Sequence, residues 1–121
     1  MTEDLIATTE TVRASSVTGT DVFNLQGDKI GTVDDIVIDK KSGAARYAVM
    51  SFGGFFGIGE TYHPLPWEKL SYDSRLAGFV VDLDKQKLEA APRFERGNDP
   101  DWRDPRFAAD LRMYYGIPPM L

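Results

Sequence analysis

The sequence has no cysteine and a single histidine, His63. The first absence excludes disulfide frameworks, thiolate zinc sites, iron–sulfur clusters and cysteine nucleophiles. The second excludes metal sites built from several imidazoles. Long apolar runs are also missing: nothing approaches the roughly 20 consecutive apolar residues of a membrane-crossing helix. No run of lysine and arginine makes a basic patch, and the formal net charge is −5. Such a chain repels a phosphate backbone on average, so no nucleic-acid partner is expected. Met1 to Ile6 is acidic and lacks the basic-then-apolar order of a secretion signal. With the lack of cysteine, this points to the reducing cytoplasm.

What is present is enough for one packed domain: 121 residues, 42% hydrophobic and 27% charged. Eleven glycines and seven prolines suit a turn-rich β fold better than a helix bundle. Residues 1–14 are threonine-rich, with Leu5 and Ile6 as their one bulky pair, and read as a flexible arm. Residues 15–92 alternate short β-branched and aromatic runs with turn signals, an all-β rhythm. Strands are expected at Asp21–Leu25 and Lys29–Asp39, around the turn Gln26-Gly27-Asp28. In the second, Ile30, Thr32, Ile36 and Ile38 share one face, Val33 and Val37 the other, and Asp34-Asp35 marks a bulge or a twist between the halves. Arg46–Phe52, apolar on both faces, is a central strand. Thr61–Leu65 runs into Pro64-Leu65-Pro66-Trp67, which confines it to an edge or strand end. Lys69–Tyr72 and Gly78–Leu83 pair across Asp73-Ser74-Arg75, and Asp84 caps one helical turn to Ala90.

Residues 93–104 are polar and read as a linker. Asp104-Pro105 then supplies a cap and a first-position proline. Phe107, Ala108, Leu111, Tyr114 and Tyr115 fall on one stripe of a helix over 105–116, stopped by Gly116 and Pro118. A helix this short is marginal alone. It must lay its stripe on its own barrel or on another chain, a choice left open by a linker that reaches either way.

The middle of the chain carries, in linked order, Gly27-Asp28-Lys29-Ile30-Gly31-Thr32-Val33, Ile36-Val37-Ile38-Asp39, Ser42-Gly43 and Tyr47-Ala48-Val49, followed by Gly53 to Glu60 and Pro64-Leu65-Pro66-Trp67. The resemblance these residues carry is to the PRC-barrel family. It implies an all-β fold, a small and strongly bent barrel, and an interaction role without a catalytic constellation. The family's settings include the cytoplasmic part of a photosynthetic reaction-centre subunit and a domain of a ribosome maturation factor. An accessory or assembly role in such a complex is the analogy it offers. The specific functions are not carried over, since the sequence shows neither the membrane helix of the first nor the separate N-terminal domain of the second.

Gly54-Phe55-Phe56-Gly57-Ile58-Gly59-Glu60-Thr61 approaches a phosphate-loop pattern, but Glu60 stands where the lysine belongs, and prolines follow instead of a helix. No nucleotide or other cofactor is expected. Either one of Phe55 and Phe56 is exposed as a contact surface, or both tuck under the loop. His63 has no G-x-S-x-G serine to activate and reads as a strand histidine with one hydrogen-bond partner. Asp34, Asp35, Asp39, Asp82 and Asp84 lack the order of a calcium loop, and no metal is expected. Trp67 reads as core or as a barrel plug; Trp102 and the tyrosine pair, Tyr114 and Tyr115, form one cluster between linker, helix and barrel.

The leading expectation is a non-enzymatic binding or assembly module with a protein partner or self-association. Its candidate contact residues are Phe55, Phe56, Phe107, Leu111, Tyr114 and Tyr115. A minor hydrolase using His63 or the acids is the second reading. A small-molecule carrier is the third, disfavoured because a tight barrel fills with its own side chains.

Overall fold

A computed structural model describes residues 11–52 and 60–118. Turn chemistry sets its first two hairpins. Asn24, buried between strand β1 (Asp21–Phe23) and strand β2 (Lys29–Ile38), accepts hydrogen bonds from the Gln26 and Asp28 N–H groups at 3.0 and 2.9 Å. Asp39 does the same between β2 and strand β3 (Ala45–Phe52). Its Oδ1 accepts from Lys41 and Ser42, and its Oδ2 takes the Arg46 guanidinium at 2.7 Å. These donors, Arg46 foremost, hold the Asp39 carboxyl down at about 2.

The β2–β3 ladder runs Thr32↔Ser51, Val33↔Met50 and then Asp35↔Val49. Asp34 is therefore an extra residue, and the expected bulge is present. It also corrects the expected facing of β2. An inserted residue reverses the alternation, so Val33 lies on the Met50 face before the bulge and Ile36, paired with Ala48, lies on that same face after it. Ile30, Thr32, Ile36 and Ile38 do not share one side. Gly31 sits on that face opposite β3, where a β-carbon would lie 2.5 Å from the Ser51 carbonyl oxygen and 2.7 Å from Met50. Only glycine lets the strands approach so closely.

Strand β4 (Thr61–Pro66) pairs with β3 from Phe52↔Thr61 to Tyr47↔Pro66 and is an edge, as its prolines require. Tyr62 directs its N–H outward, to the Phe94 carbonyl at 3.0 Å, and accepts from Phe94 N–H at 2.9 Å. Pro64 and Pro66 face the same way and have no N–H to give. The outer rim of β4 can thus pair at Tyr62 and no further along, which protects it from edge-to-edge association.

After a 3₁₀ turn (Trp67–Lys69), strands β5 (Ser71–Asp73) and β6 (Gly78–Val80) form an antiparallel pair, and β6 lies parallel to β1. The sheet order is β4-β3-β2-β1-β6-β5. The β fold is mostly antiparallel and bent, but among the described residues its backbone ladder does not close into a barrel. Side chains bring its ends together instead: the Trp67 ring, next to β4, meets the Phe79 ring of β6 edge-on at 6.0 Å. Within the curl lie Val22, Ile30, Val33, Met50, Leu65, Phe79 and Val81. Helix α1 (Ala14–Val17), at the junction of the expected arm and the β domain, adds Val17. Helix α2 (Lys85–Glu89), capped by Asp84, adds Leu88.

The C-terminal helix α3 (Pro105–Tyr114) starts at Asp104, whose side chain accepts from Arg106 N–H. It ends in a Schellman arrangement, with Gly116 at φ +71° and Ile117 N–H on the Arg112 carbonyl. It packs on its own chain. Leu111 and Tyr115 are 1% and 3% exposed within the same core, and Arg112 reaches Glu68 of the 3₁₀ turn at 2.9 Å.

Because Leu111 belongs to that core, Leu111→Ala should lower unfolding free energy by about 2–5 kcal/mol, measured by urea titration. A helix tethered loosely by a linker would give almost no loss.

Candidate binding groove on the outer face

β3 carries apolar groups on both sides. Met50 and Ala48 face the curl; Tyr47 and Val49 face away from it, beside Val37 of β2. The segment after α2 covers this second face. Phe94 stacks on Tyr62 at 5.7 Å, and Trp102 packs on Tyr47 at 5.7 Å and edge-on to Phe94 at the same distance. Phe107 closes the chain of rings against Tyr47 and Trp102. The 93–104 stretch is thus an aromatic strap as well as a polar connection.

The strap leaves an open groove of about 290 Å³ between itself and the outer face of β2–β3. Val37 and Val49 give it an aliphatic floor, with Tyr62, Phe94 and Trp102 as aromatic walls. Asp34, Asp35 and Asp99 stand on its rim, all exposed. The bulge that doubles β2 at Asp34 puts two successive carboxylates there. Asp99 accepts from the Trp102 indole N–H at 3.1 Å; none of the three acids has an ion-pair partner among the described residues. Among the described residues, Arg96 is the one cation of the lining. Its guanidinium lies 5.0 Å over the Tyr62 ring and donates to the Tyr62 hydroxyl, which itself donates to Glu60.

A larger hollow of about 550 Å³ lies between the β1–β2 and β5–β6 turns. Two of its polar groups are committed to those turns, Asn24 to Gln26 and Asp28, and Asp73 to the Arg75 N–H, and the Arg75 side chain is itself paired with Asp73 at 3.7 Å. It therefore has less to recognise a ligand with. Beside it, Leu25 and Leu76 are exposed, as is Tyr72 on the free edge strand β5.

His63 is fully buried on the inner face of β4, paired with Met50, its ring edge-on to Phe52. Nε2 lies 3.2 Å from the Thr61 hydroxyl, while Nδ1 makes no hydrogen bond of good geometry. Burial first, then the Arg93 charge, pull its pKa down to about 4; the nearby Pro92 carbonyl opposes this only partly. The ring is neutral near pH 7 and lines neither hollow, so it is a packing residue in this structure.

Of the expected contact residues, Phe55 and Phe56 lie outside the described residues. Leu111 and Tyr115 are spent on the chain's own core and present no surface to another chain here. Tyr114 is half-buried: its hydroxyl donates to the Lys87 carbonyl, and Lys87 Nζ sits 5.0 Å over its ring. Phe107 is half-buried against Tyr47. Sequence reasoning missed Tyr62, Phe94, Arg96 and Asp99 as a group. Trp102, expected in one cluster with Tyr114 and Tyr115, instead sets its ring against Tyr47, Phe94 and Phe107, while the two tyrosines pack on each other; it was the one signal leading toward that group.

A family model described as the PRC-barrel domain matches residues 9–88, about two thirds of the chain. The chain belongs to the PRC-barrel family. The groove combines this domain's outer face with a strap, Phe94 to Trp102, that lies beyond the matched residues. An uncharacterized protein of Deinococcus radiodurans is 28% identical over 78 residues, covering 60% of this chain and 28% of that protein. Among solved structures, a putative 16S ribosomal RNA processing protein RimM from Pseudomonas aeruginosa is similar at 18% identity and a TM-score of 0.39. That match covers 62% of this chain and 45% of the other. The chain spans less than half the length of either relative. Among the described residues, no helix is long and apolar enough to cross a membrane.

Protonating His63 tests its burial. A folded pKa of about 4 against an ordinary 6.5 means that the unfolded chain binds the proton first. Stability is then full above pH 6.5 and falls as pH drops toward 4, by on the order of 2–3 kcal/mol. Asp39, depressed from 3.8 to about 2, loses its contribution only below that window. Urea titrations between pH 7 and 4 should show the slope, and His63→Leu should flatten it.

Proposed function

We propose that this chain is a non-catalytic binding module that docks a protein partner in the groove between its strap and the outer face of β2–β3. The observation that carries the reading is the composition of the groove. It has an aromatic and aliphatic floor with a charged, exposed rim, the pattern of an interface hot spot with its surround. Family membership supports an interaction role, and the burial of the lone histidine removes the hydrolase reading's main support. The lack of cysteine suits a module working in a reducing compartment such as the cytoplasm. The test is affinity purification from the native cell with the wild-type chain and with an Asp34→Lys, Asp35→Lys variant matched for melting temperature. A co-purifying protein retained by the first and lost by the second is expected. An identical set from both would refute the groove as the docking site.

A second reading, self-association, is favoured by the free β5 edge with Tyr72, Leu76 and Leu25 exposed beside it. Light scattering on a size-exclusion column should then give a dimer that Tyr72→Lys converts to monomer. A wild-type monomer at high concentration removes this reading.

A further inference from the structure

We infer that the groove takes a basic side chain, a guanidinium or ammonium group borne by an extended, positively charged segment of the partner protein. This deepens the binding-module reading and rests on it. Charge complementarity carries the inference. Among the described residues, the lining holds three carboxylates, Asp34, Asp35 and Asp99, against one cation, Arg96. Glu60 adds a fourth acid beyond the Tyr62 hydroxyl. The whole chain carries −5, which steers a basic partner toward it.

The walls fit the same chemistry. Cations are attracted to aromatic faces, most strongly to tryptophan and tyrosine, and more often as guanidinium than ammonium. Trp102, Phe94 and Tyr62 supply three rings at one opening. The chain already shows that this setting accepts such a group, because its own Arg96 guanidinium lies over Tyr62. The carboxylates are spread around the rim, and no group of three His, Cys, Asp or Glu side chains among the described residues is placed to hold a metal ion. They are arranged to neutralise a delocalised organic cation more than to ligate a compact one.

Size selects a polypeptide as the source. At about 290 Å³ and open on one side, the groove is at or below the lower limit of small-molecule pockets, roughly 300–1,000 Å³ with the ligand largely enclosed. One arginine or lysine side chain occupies only part of it, and the flanking residues of an extended segment can take up the rest. Arg96 then acts as an internal competitor, its guanidinium already held over the Tyr62 ring.

Fluorescence anisotropy tests this on the full chain with a labelled peptide of alternating glycine and arginine. The control peptide replaces arginine by citrulline, which keeps the shape and loses the charge. Expected results are at least tenfold weaker binding of the citrulline peptide and about tenfold weaker binding of the arginine peptide to Asp34→Asn, Asp35→Asn. Arg96→Ala should bind several-fold tighter. Asp82→Asn, Asp110→Asn, which removes two exposed acids outside the groove, should leave binding unchanged. Equal binding of both peptides overturns the inference, as does an equal loss in the Asp82, Asp110 variant, which would mean general acidity. Displacement by free arginine as effective as by unlabelled peptide overturns the polypeptide source. If no basic peptide binds while the groove variant still loses its captured partner, the partner's chemistry fails and the binding-module reading stands. If the groove variant keeps every captured protein, that reading fails first.

Discussion

The whole arrangement turns on a sheet whose central strand is apolar on both sides. A bent sheet can hide one face by curling, and Val33, Met50 and Leu65 are hidden that way. It cannot hide the other. Tyr47 and Val49 of β3 would stand in water if nothing crossed them, and each large side chain so exposed forgoes about 1.5–3 kcal/mol of burial. The chain meets this demand with its own C-terminal residues. Phe94, Trp102 and Phe107 form one continuous ring system over the outer face, and α3 anchors it by driving Leu111 and Tyr115 into the core. The tail is therefore part of the domain's stability, and its position defines the groove.

Two local irregularities make that cover possible. The extra residue at Asp34 reverses the facing of β2, so the same ladder can present Val33 inward and, past the bulge, Asp35 and Val37 outward. Without it, one half of the strand would turn its apolar groups to the wrong side. The prolines of β4 act at the opposite edge. They leave Tyr62 as the point where the chain can return and pair, and so set where Phe94 lands. From there the strap's course to Trp102, and the groove beneath it, are largely determined.

The buried histidine follows from the same packing. Its position on the Met50 face of β4 leaves it among Phe52, Thr61 and the aliphatic core, where the neutral ring is cheaper than the charged one. The strand histidine with one hydrogen-bond partner that the sequence suggests is, in three dimensions, a core filler beside Thr61 whose titration registers as stability.

Much of this was legible in the residues. Turn dipeptides, β-branched runs and the change of period at Asp104-Pro105 marked strands and helices because those signals act over a few neighbours. The double-sided apolar pattern of Arg46–Phe52 announced a central strand, and the proline pair announced an edge. The requirement that the Phe107–Leu111–Tyr115 stripe be buried was also local, a matter of helix length and spacing. What it would be buried against was not, and neither was the meeting of Asp34 and Asp35 with Tyr62, Phe94, Arg96 and Asp99. Those residues are separated by tens of positions, and no periodicity links them. Tertiary structure decided that the tail folds back on its own sheet, since only there does it cover the second face of β3, and that choice alone created the groove.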